Sequence, residues 1–243
     1  MTNHLPFHEF KSNSHSQNGE DGVIAEILNQ LKMDNHVEYW CVEFGAWDGL
    51  HLSNSFCLVE KGWNAIYIEG NSSRFQELLR TCQRFTKIVP IKAKISKFPD
   101  DINSLDNLLA NTNLPKDFEL LSIDIDSYDL DIWKTLKGYH PKIVVMEIDS
   151  SIPPGIEWTH GPLTRGNSFS STLKVAETKG YVLVCHTGNL IFVRRDLINS
   201  LSFPRSYFLN PELLYDYSLF DYKFTYKKRV RNFLAKFLAL VYN

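Results

Sequence analysis

VEFGAWDGLHLSNSFCLVEKGWNAIYIEGN, residues 42–71, carries two strand signatures that each run into a turn holding an acid. Tyr39–Phe44 is a short, nearly continuous apolar run, the pattern of a parallel strand covered on both faces. It leads into Glu43-Phe44-Gly45-Ala46-Trp47-Asp48-Gly49, an E-x-G-x-x-x-G turn whose glycines let the backbone approach a ligand with no Cβ in the way. The next strand, Ala65–Ile68, ends on Glu69, about twenty residues further, where a carboxylate accepts both hydroxyls of a ribose. Each piece alone also fits a tight turn or a solvated acid. Together, at successive strand ends, they favour a ligand. The candidate cofactor-binding residues here are Glu43, Gly45, Ala46, Asp48, Gly49, Ser53, Asn54, Glu69, Gly70 and Asn71.

On both sides of this stretch helices and strands alternate. Ile24, Ile27, Leu28 and Leu31 follow helical spacing, with Glu20 and Asp21 at the positive end of that helix. A helix is predicted from Ser53 to Lys61, stopped by Gly62, and another over Ser72–Arg84. Lys87–Ile91, Leu120–Ile125 and Lys142–Ile148 read as strands, with helices over Ile102–Ala110, Leu130–Leu136 and Ser170–Lys179. Tyr181–Cys185 and Leu190–Val193 are close enough only for a hairpin. The pattern predicts an α/β fold: a Rossmann-like, doubly wound, mostly parallel seven-stranded sheet with an antiparallel terminal strand, in three α/β/α layers. Ligands of such sheets lie beyond the C-terminal strand ends, at the switch in strand order. That rule selects Glu43–Gly49, Glu69–Asn71, Lys92–Ile95, Asp124–Asp126 and Glu147–Asp149.

A dinucleotide site uses G-x-G-x-x-G and offers helix amides to a pyrophosphate. This turn lacks the first G-x-G and carries Glu43 and Asp48. Acids repel a diphosphate but suit a cationic sulfonium with an amino-acid tail, so the expected cofactor is S-adenosylmethionine.

The stretch from Val42 through Glu69 resembles the cofactor half of class I methyltransferases, and most closely the FkbM-type O-methyltransferases. Those carry a D-x-G-A-N-x-G turn and an E-P strand end. Trp47 stands here where that family has Asn, and Gly70 where it has Pro. The resemblance spans about residues 16–195 and implies methyl transfer to a hydroxyl of a sugar, in bacterial surface polysaccharide synthesis.

Asp124/Asp126 and Glu147/Asp149 are i, i+2 pairs at the ends of predicted neighbouring strands, so each pair faces one side. Carboxylates that close repel unless they are protonated or hold a cation, and Mg²⁺ prefers oxygen ligands. The arrangement is similar to that of metal-dependent sugar O-methyltransferases of the macrocin type. Carried over, the similarity implies Asp124, Glu147 and Asp149 as metal ligands and Asp126 as the catalytic base. Asp124 is also a candidate cofactor contact or helix cap. His160, in the long Pro- and Gly-rich loop 152–167, is a second catalytic candidate, because long loops often serve as lids. His51 could line the pocket, and His186, beside the hairpin, reads as structural.

A net charge of -2 argues against a nucleic-acid surface. Cys41, Cys57, Cys82 and Cys185 show no C-x-x-C spacing and read as free thiols. With no leader-like start and no 18-residue apolar run, the expected location is cytoplasmic. Residues 1–15 are expected to be a flexible N-terminal segment, 16–200 the methyltransferase domain, and 201–243 an aromatic and basic helical extension. Val230, Phe233, Leu234, Phe237, Leu238 and Val241 fall on one helical face of that extension. It either docks on the domain or forms an amphipathic helix for self-association or contact with the inner face of a membrane. The expected partner is a small-molecule or glycan acceptor. Two competing readings use the same sheet: an NAD- or nucleotide-dependent sugar-modifying enzyme, and a non-catalytic cofactor-binding module.

Overall fold

The computed structural model describes residues 5–33, 38–162, 164 and 166–220. Seven strands form one sheet in the order β3-β2-β1-β4-β5-β7-β6. They are β1 (Trp40–Phe44), β2 (Asn64–Glu69), β3 (Ile88–Lys92), β4 (Leu120–Ile123), β5 (Ile143–Glu147), β6 (Tyr181–His186) and β7 (Asn189–Arg194). Strand β7, last in sequence, is antiparallel to both neighbours and sits between β5 and β6, while β1 to β5 pair in parallel. The three-layer, Rossmann-like α/β fold expected from the sequence is the fold observed.

Alternation along each strand divides the core into two layers. Val42, Phe44, Ile66, Ile68, Leu121, Ile123, Val144 and Met146 face one side. There they meet α4 (Leu105–Ala110), α5 (Asp129–Thr135) and α6 (Phe169–Thr178). Cys41, Ala65, Tyr67, Leu120, Ile143 and Val145 face the other side, against α1 (Glu20–Gln30), α2 (Phe56–Glu60) and α3 (Ser72–Arg84). Trp133 and Trp63 anchor the first and second layers respectively, each almost fully buried. Side chains of this kind contribute roughly 1.5–3 kcal/mol apiece from removal of apolar surface.

The start of the chain departs from expectation. From residue 5 onward it is held to the domain. Phe7 is buried and its ring lies 6.5 Å from Phe203. His8 Nε2 donates to the His186 carbonyl at 2.9 Å. Asp21 Oδ2 accepts from the amides of Ser14, His15 and Ser16, each at 2.8 Å. These anchors are single side chains and backbone amides scattered along the segment, which leave no hydrophobic period in the sequence. Past the sheet, α7 (Arg205–Leu209) precedes a short turn in which Leu214 and Tyr215 are buried. The basic amphipathic segment 227–243 lies outside the described residues. Among the described residues no helix is long and apolar enough to cross a membrane.

Candidate active site

The sheet reverses its order between β1 and β4, and a cavity of about 600 Å³ opens at the C-terminal ends of the central strands. That volume falls in the roughly 300–1,000 Å³ range of small-molecule sites. Register explains what lines it. Phe44 is opposite Ile68 and Ile123, and Ile123 is opposite Met146. One residue further along each strand, Glu69, Gly45, Asp124 and Glu147 make a row across the sheet, and all four line the cavity.

Gly45 has φ +80, and a Cβ there would stand 1.6 Å from the Asp124 carbonyl oxygen. At Gly49, also φ +80, a Cβ would press on the Tyr67 ring and Leu78. Both glycines are thus demanded by the protein's own packing; Gly49 is buried, while Gly45 is exposed on the cavity wall. The amides of Gly45 and Ala46 point back to the Ile68 carbonyl, at 3.1 and 3.3 Å.

Of the predicted cofactor residues, Glu43, Gly45, Glu69, Gly70, Asn71 and Asp124 line the cavity. Glu69 accepts the Trp47 amide at 3.0 Å on one oxygen and the Asn71 amide at 2.6 Å on the other. This orients its carboxylate while leaving lone pairs for a ligand. Glu43 accepts hydroxyl protons from Ser53 and Ser55, and burial pushes its carboxyl up to about 7 against those hydrogen bonds. Ser53 therefore shapes the loop, as does Asn54, whose Nδ2 donates to Ser122 Oγ at 3.1 Å. Asp48 caps the following turn through the amides of Leu50 and His51, and Ala46 packs in the core. Ala46, Asp48, Gly49, Ser53 and Asn54 do not line the cavity; their contacts are with protein.

Asp124 and Glu147 share a hydrogen bond. Burial first, and each other's charge second, holds Glu147 up at about 9; burial chiefly holds Asp124 at about 6. The pair therefore retains a proton at neutral pH. The third expected metal ligand needs correction. Asp149 accepts from the Ser151 amide and hydroxyl at 3.1 and 2.6 Å, its own amide donates to the Asn167 carbonyl, and it does not line the cavity. The chain has left the sheet by then, so i, i+2 alternation no longer applies. Among the described residues, Asp124, Glu147 and Asp149 are not gathered around one point. These residues do not fit a Mg²⁺ centre.

Asp126 lies exposed on the cavity wall with φ +56. Asp129 holds that turn by accepting the amides of Ile125 and Ser127 at 2.7 and 2.8 Å. Trp47 (φ 49) and Leu52 (φ 56) line the same cavity, so three of the five described non-glycine residues with positive φ are there. Strain of this kind, about 1–3 kcal/mol each, tends to collect at functional sites. His51 lines the cavity. His160 stands one ring away, edge-on to Tyr128 at 4.8 Å. His186 is enclosed elsewhere, against Phe169 and Tyr215.

Sequence reasoning missed Gln17, Arg74 and Tyr128. Arg74 lies over the Trp47 ring at 3.9 Å and Lys97 over Tyr128 at 3.7 Å. The helical period of α3 placed Arg74 on an outer face, one turn from Asn71, and that was the available signal. Gln17 gave none.

No protein-family model matches the chain, and no curated protein matches it. Solved structures similar in fold include the N-terminal domain of EvdMO1 in the presence of SAH and D-fucose, at 12% identity and a TM-score of 0.45, covering 76% of this chain and 85% of that one. The citrinin polyketide synthase CMeT domain is 11% identical with a TM-score of 0.47, over 74% of this chain and 54% of that one. M. capricolum TrmK in complex with S-adenosylhomocysteine is 12% identical with a TM-score of 0.42, over 69% and 66%. At such identities and scores these likenesses bear on no question of chemistry.

Proposed function

We propose that the chain is an S-adenosylmethionine-dependent O-methyltransferase acting on a sugar hydroxyl, with a glycan acceptor of surface polysaccharide synthesis met on the cytoplasmic side. The observation that carries the reading is the row Glu69, Asp124, Glu147 on the wall of one cavity at the switch point, with Glu43 behind it. A carboxylate-lined cavity suits a cation and repels a diphosphate. The first strand's turn also withholds what a pyrophosphate needs: the Gly45 and Ala46 amides are already bonded to Ile68, and α2 starts only at Phe56. That favours S-adenosylmethionine over NAD.

The residues present fit that cofactor. Glu69, fixed by two amides, would accept the ribose hydroxyls. Ile68, Ala93, Ile95 and Ile125 would offer an apolar wall for a flat ring, and Asp124 and Glu147 would supply the acidic side of the site for its positive charge. When bound, S-adenosylmethionine supplies an electrophilic methyl carbon. The chain's part is to align an acceptor hydroxyl and take its proton. Asp126, at the open wall, is the base in this reading, and the proton held between Asp124 and Glu147 keeps the floor of the site from carrying two further charges. The sugar class rests on the sequence resemblance.

Thermal shift tests the cofactor. S-adenosylmethionine and S-adenosylhomocysteine are expected to raise the melting temperature, and NAD to leave it unchanged. Glu69→Ala should weaken binding about 10–100-fold, the worth of hydrogen bonds to a charged group. A rise with NAD alone would sink the proposal. Transfer of labelled methyl to a panel of glycans then tests the reaction, with Asp126→Asn expected to lower kcat about 10²–10⁴-fold. Cofactor binding with no transfer to any acceptor would mark a binding module instead.

A further inference from the structure

Away from the cavity, the N-terminal loop meets α2 at a second cluster of reactive side chains. Cys57 and Glu60 lie three residues apart on that helix and so share a face. His15 reaches the same face from the loop. One nitrogen of His15, the Cys57 sulfur and a carboxylate oxygen of Glu60 all lie within 4.8 Å of one another. His15 Nε2 is 3.0 Å from Glu60 Oε2. The imidazole is delivered in a set position: its backbone amide is held by Asp21, and its ring stands edge-on to Phe56 at 4.7 Å. Asp21 also lies beside the Cys57 thiol. Asp21 is 8% exposed, and its carboxylate accepts a hydrogen bond from that thiol, which aims the sulfur at the cluster.

We propose that His15, Cys57 and Glu60 bind a zinc ion that pins the N-terminal loop to α2. A thiolate, an imidazole and a carboxylate form a mixed donor set that suits Zn²⁺ and not Mg²⁺ or Ca²⁺. Tetrahedral zinc with bonds of about 2.0–2.3 Å holds its ligand atoms roughly 3.3–3.8 Å apart, so the trio closes by movements of about 1 Å. Asp21 or water completes the fourth position. The zinc–sulfur bond replaces the thiol S–H bond and the proton leaves to solvent, so affinity increases with pH. The same loop carries Gln17 into the cavity, so a metal here would steady that wall of the pocket. The competing account is metal-free: a surface His15–Glu60 contact beside a Cys57 thiol that donates to Asp21. The zinc proposal stands apart from the methyltransferase reading, and neither depends on the other.

The full chain, stripped with a chelator, is titrated first with Co²⁺ and then with Zn²⁺. One equivalent of Co²⁺ should produce a thiolate-to-cobalt charge-transfer band that Zn²⁺ bleaches. Cys57→Ser should remove the band, and His15→Ala should weaken zinc about 100-fold or more. Cys82→Ser, on α3 and outside the cluster, should change nothing. A second measurement uses the unaltered protein: stoichiometric Zn²⁺ should protect Cys57 but not Cys82 from alkylation, read by peptide mass. No band, a band that survives in Cys57→Ser, or an unprotected Cys57 would each overturn the site.

Discussion

Glu147 sits one position past the Ile123–Met146 pair, so its neighbour across β4 and β5 is Asp124. The folded chain answers by keeping a proton on the pair. Glu147 is held at about 9 against an ordinary 4.5, and Asp124 at about 6 against 3.8. Between these limits the folded state binds more protons than the unfolded state, so this pair's contribution is greatest in acid and is lost as pH rises from about 4.5 toward 9. Glu147→Gln keeps a donor toward Asp124 and cannot ionise. Relative to wild type, the variant should therefore become progressively more stable as pH rises from 5 to 8.5, read from urea unfolding. An identical pH profile for both proteins would refute the shared proton. His186 shows the opposite case, a buried base kept neutral. Its Nδ1 accepts the Asp216 amide at 3.0 Å, so Nε2 carries the proton toward Ser150 Oγ, and burial lowers the ring to about 4. Ser150 in turn donates to the Gly188 carbonyl, so the serine–histidine contact is a structural bridge with its protons pointing away from any nucleophilic use.

At the level of elements, the same chemistry decides how much could be read in advance. The helix predicted over Ser72–Arg84 is α3 to the residue, because its apolar period is uninterrupted and Asn71 caps it by accepting the amides of Ser73 and Arg74. The strand tips were legible too, since continuous apolar runs have few other homes. What could not be read was which residues of a tip turn inward. Ser53–Ser55 was expected to open a helix, yet α2 begins at Phe56, because Ser53 and Ser55 are bonded to Glu43 and hold the chain in a bend before it. The E-x-G-x-x-x-G pattern marked the right turn, and its glycines have a second physical reason: they make room for Asp124, Tyr67 and Leu78. Gly45→Ala should accordingly lower stability by more than about 3 kcal/mol, from left-handed strain plus collision with a backbone oxygen. Gly155 also has positive φ (+86) but no atom within 4 Å of a built Cβ. There the same substitution should cost only the strain, about 1–2 kcal/mol. Equal losses at the two positions would show that the close approach to Asp124 relaxes freely.

Across the whole molecule, a buried side chain joins the N-terminal segment to the closing hairpin, in addition to the His8–His186 hydrogen bond. Glu20, fully buried at the start of α1, accepts the Thr187 hydroxyl at 2.7 Å and the Asn189 side-chain amide at 3.1 Å on one oxygen. Its other oxygen takes the Asn18 amide at 2.7 Å. Glu20 and Thr187 are 167 positions apart, so no local pattern could announce the contact. The sequence presented Glu20 only as an acid at the positive end of a helix. Its placement also governs the cavity, because the loop it secures is the one that brings Gln17 to the pocket wall. Glu20→Ala leaves the Asn18 amide and the Asn189 side-chain amide without this acceptor, and the Thr187 hydroxyl with only a long contact to the Asn189 carbonyl, and should cost about 2–4 kcal/mol in chemical unfolding. Glu20→Gln keeps one carbonyl oxygen for the hairpin and should cost less. If alanine proves as stable as the native residue, the hairpin is fixed by Val184, Cys185 and Ile191 packing against α1, and the polar link between the two ends of the fold is dispensable.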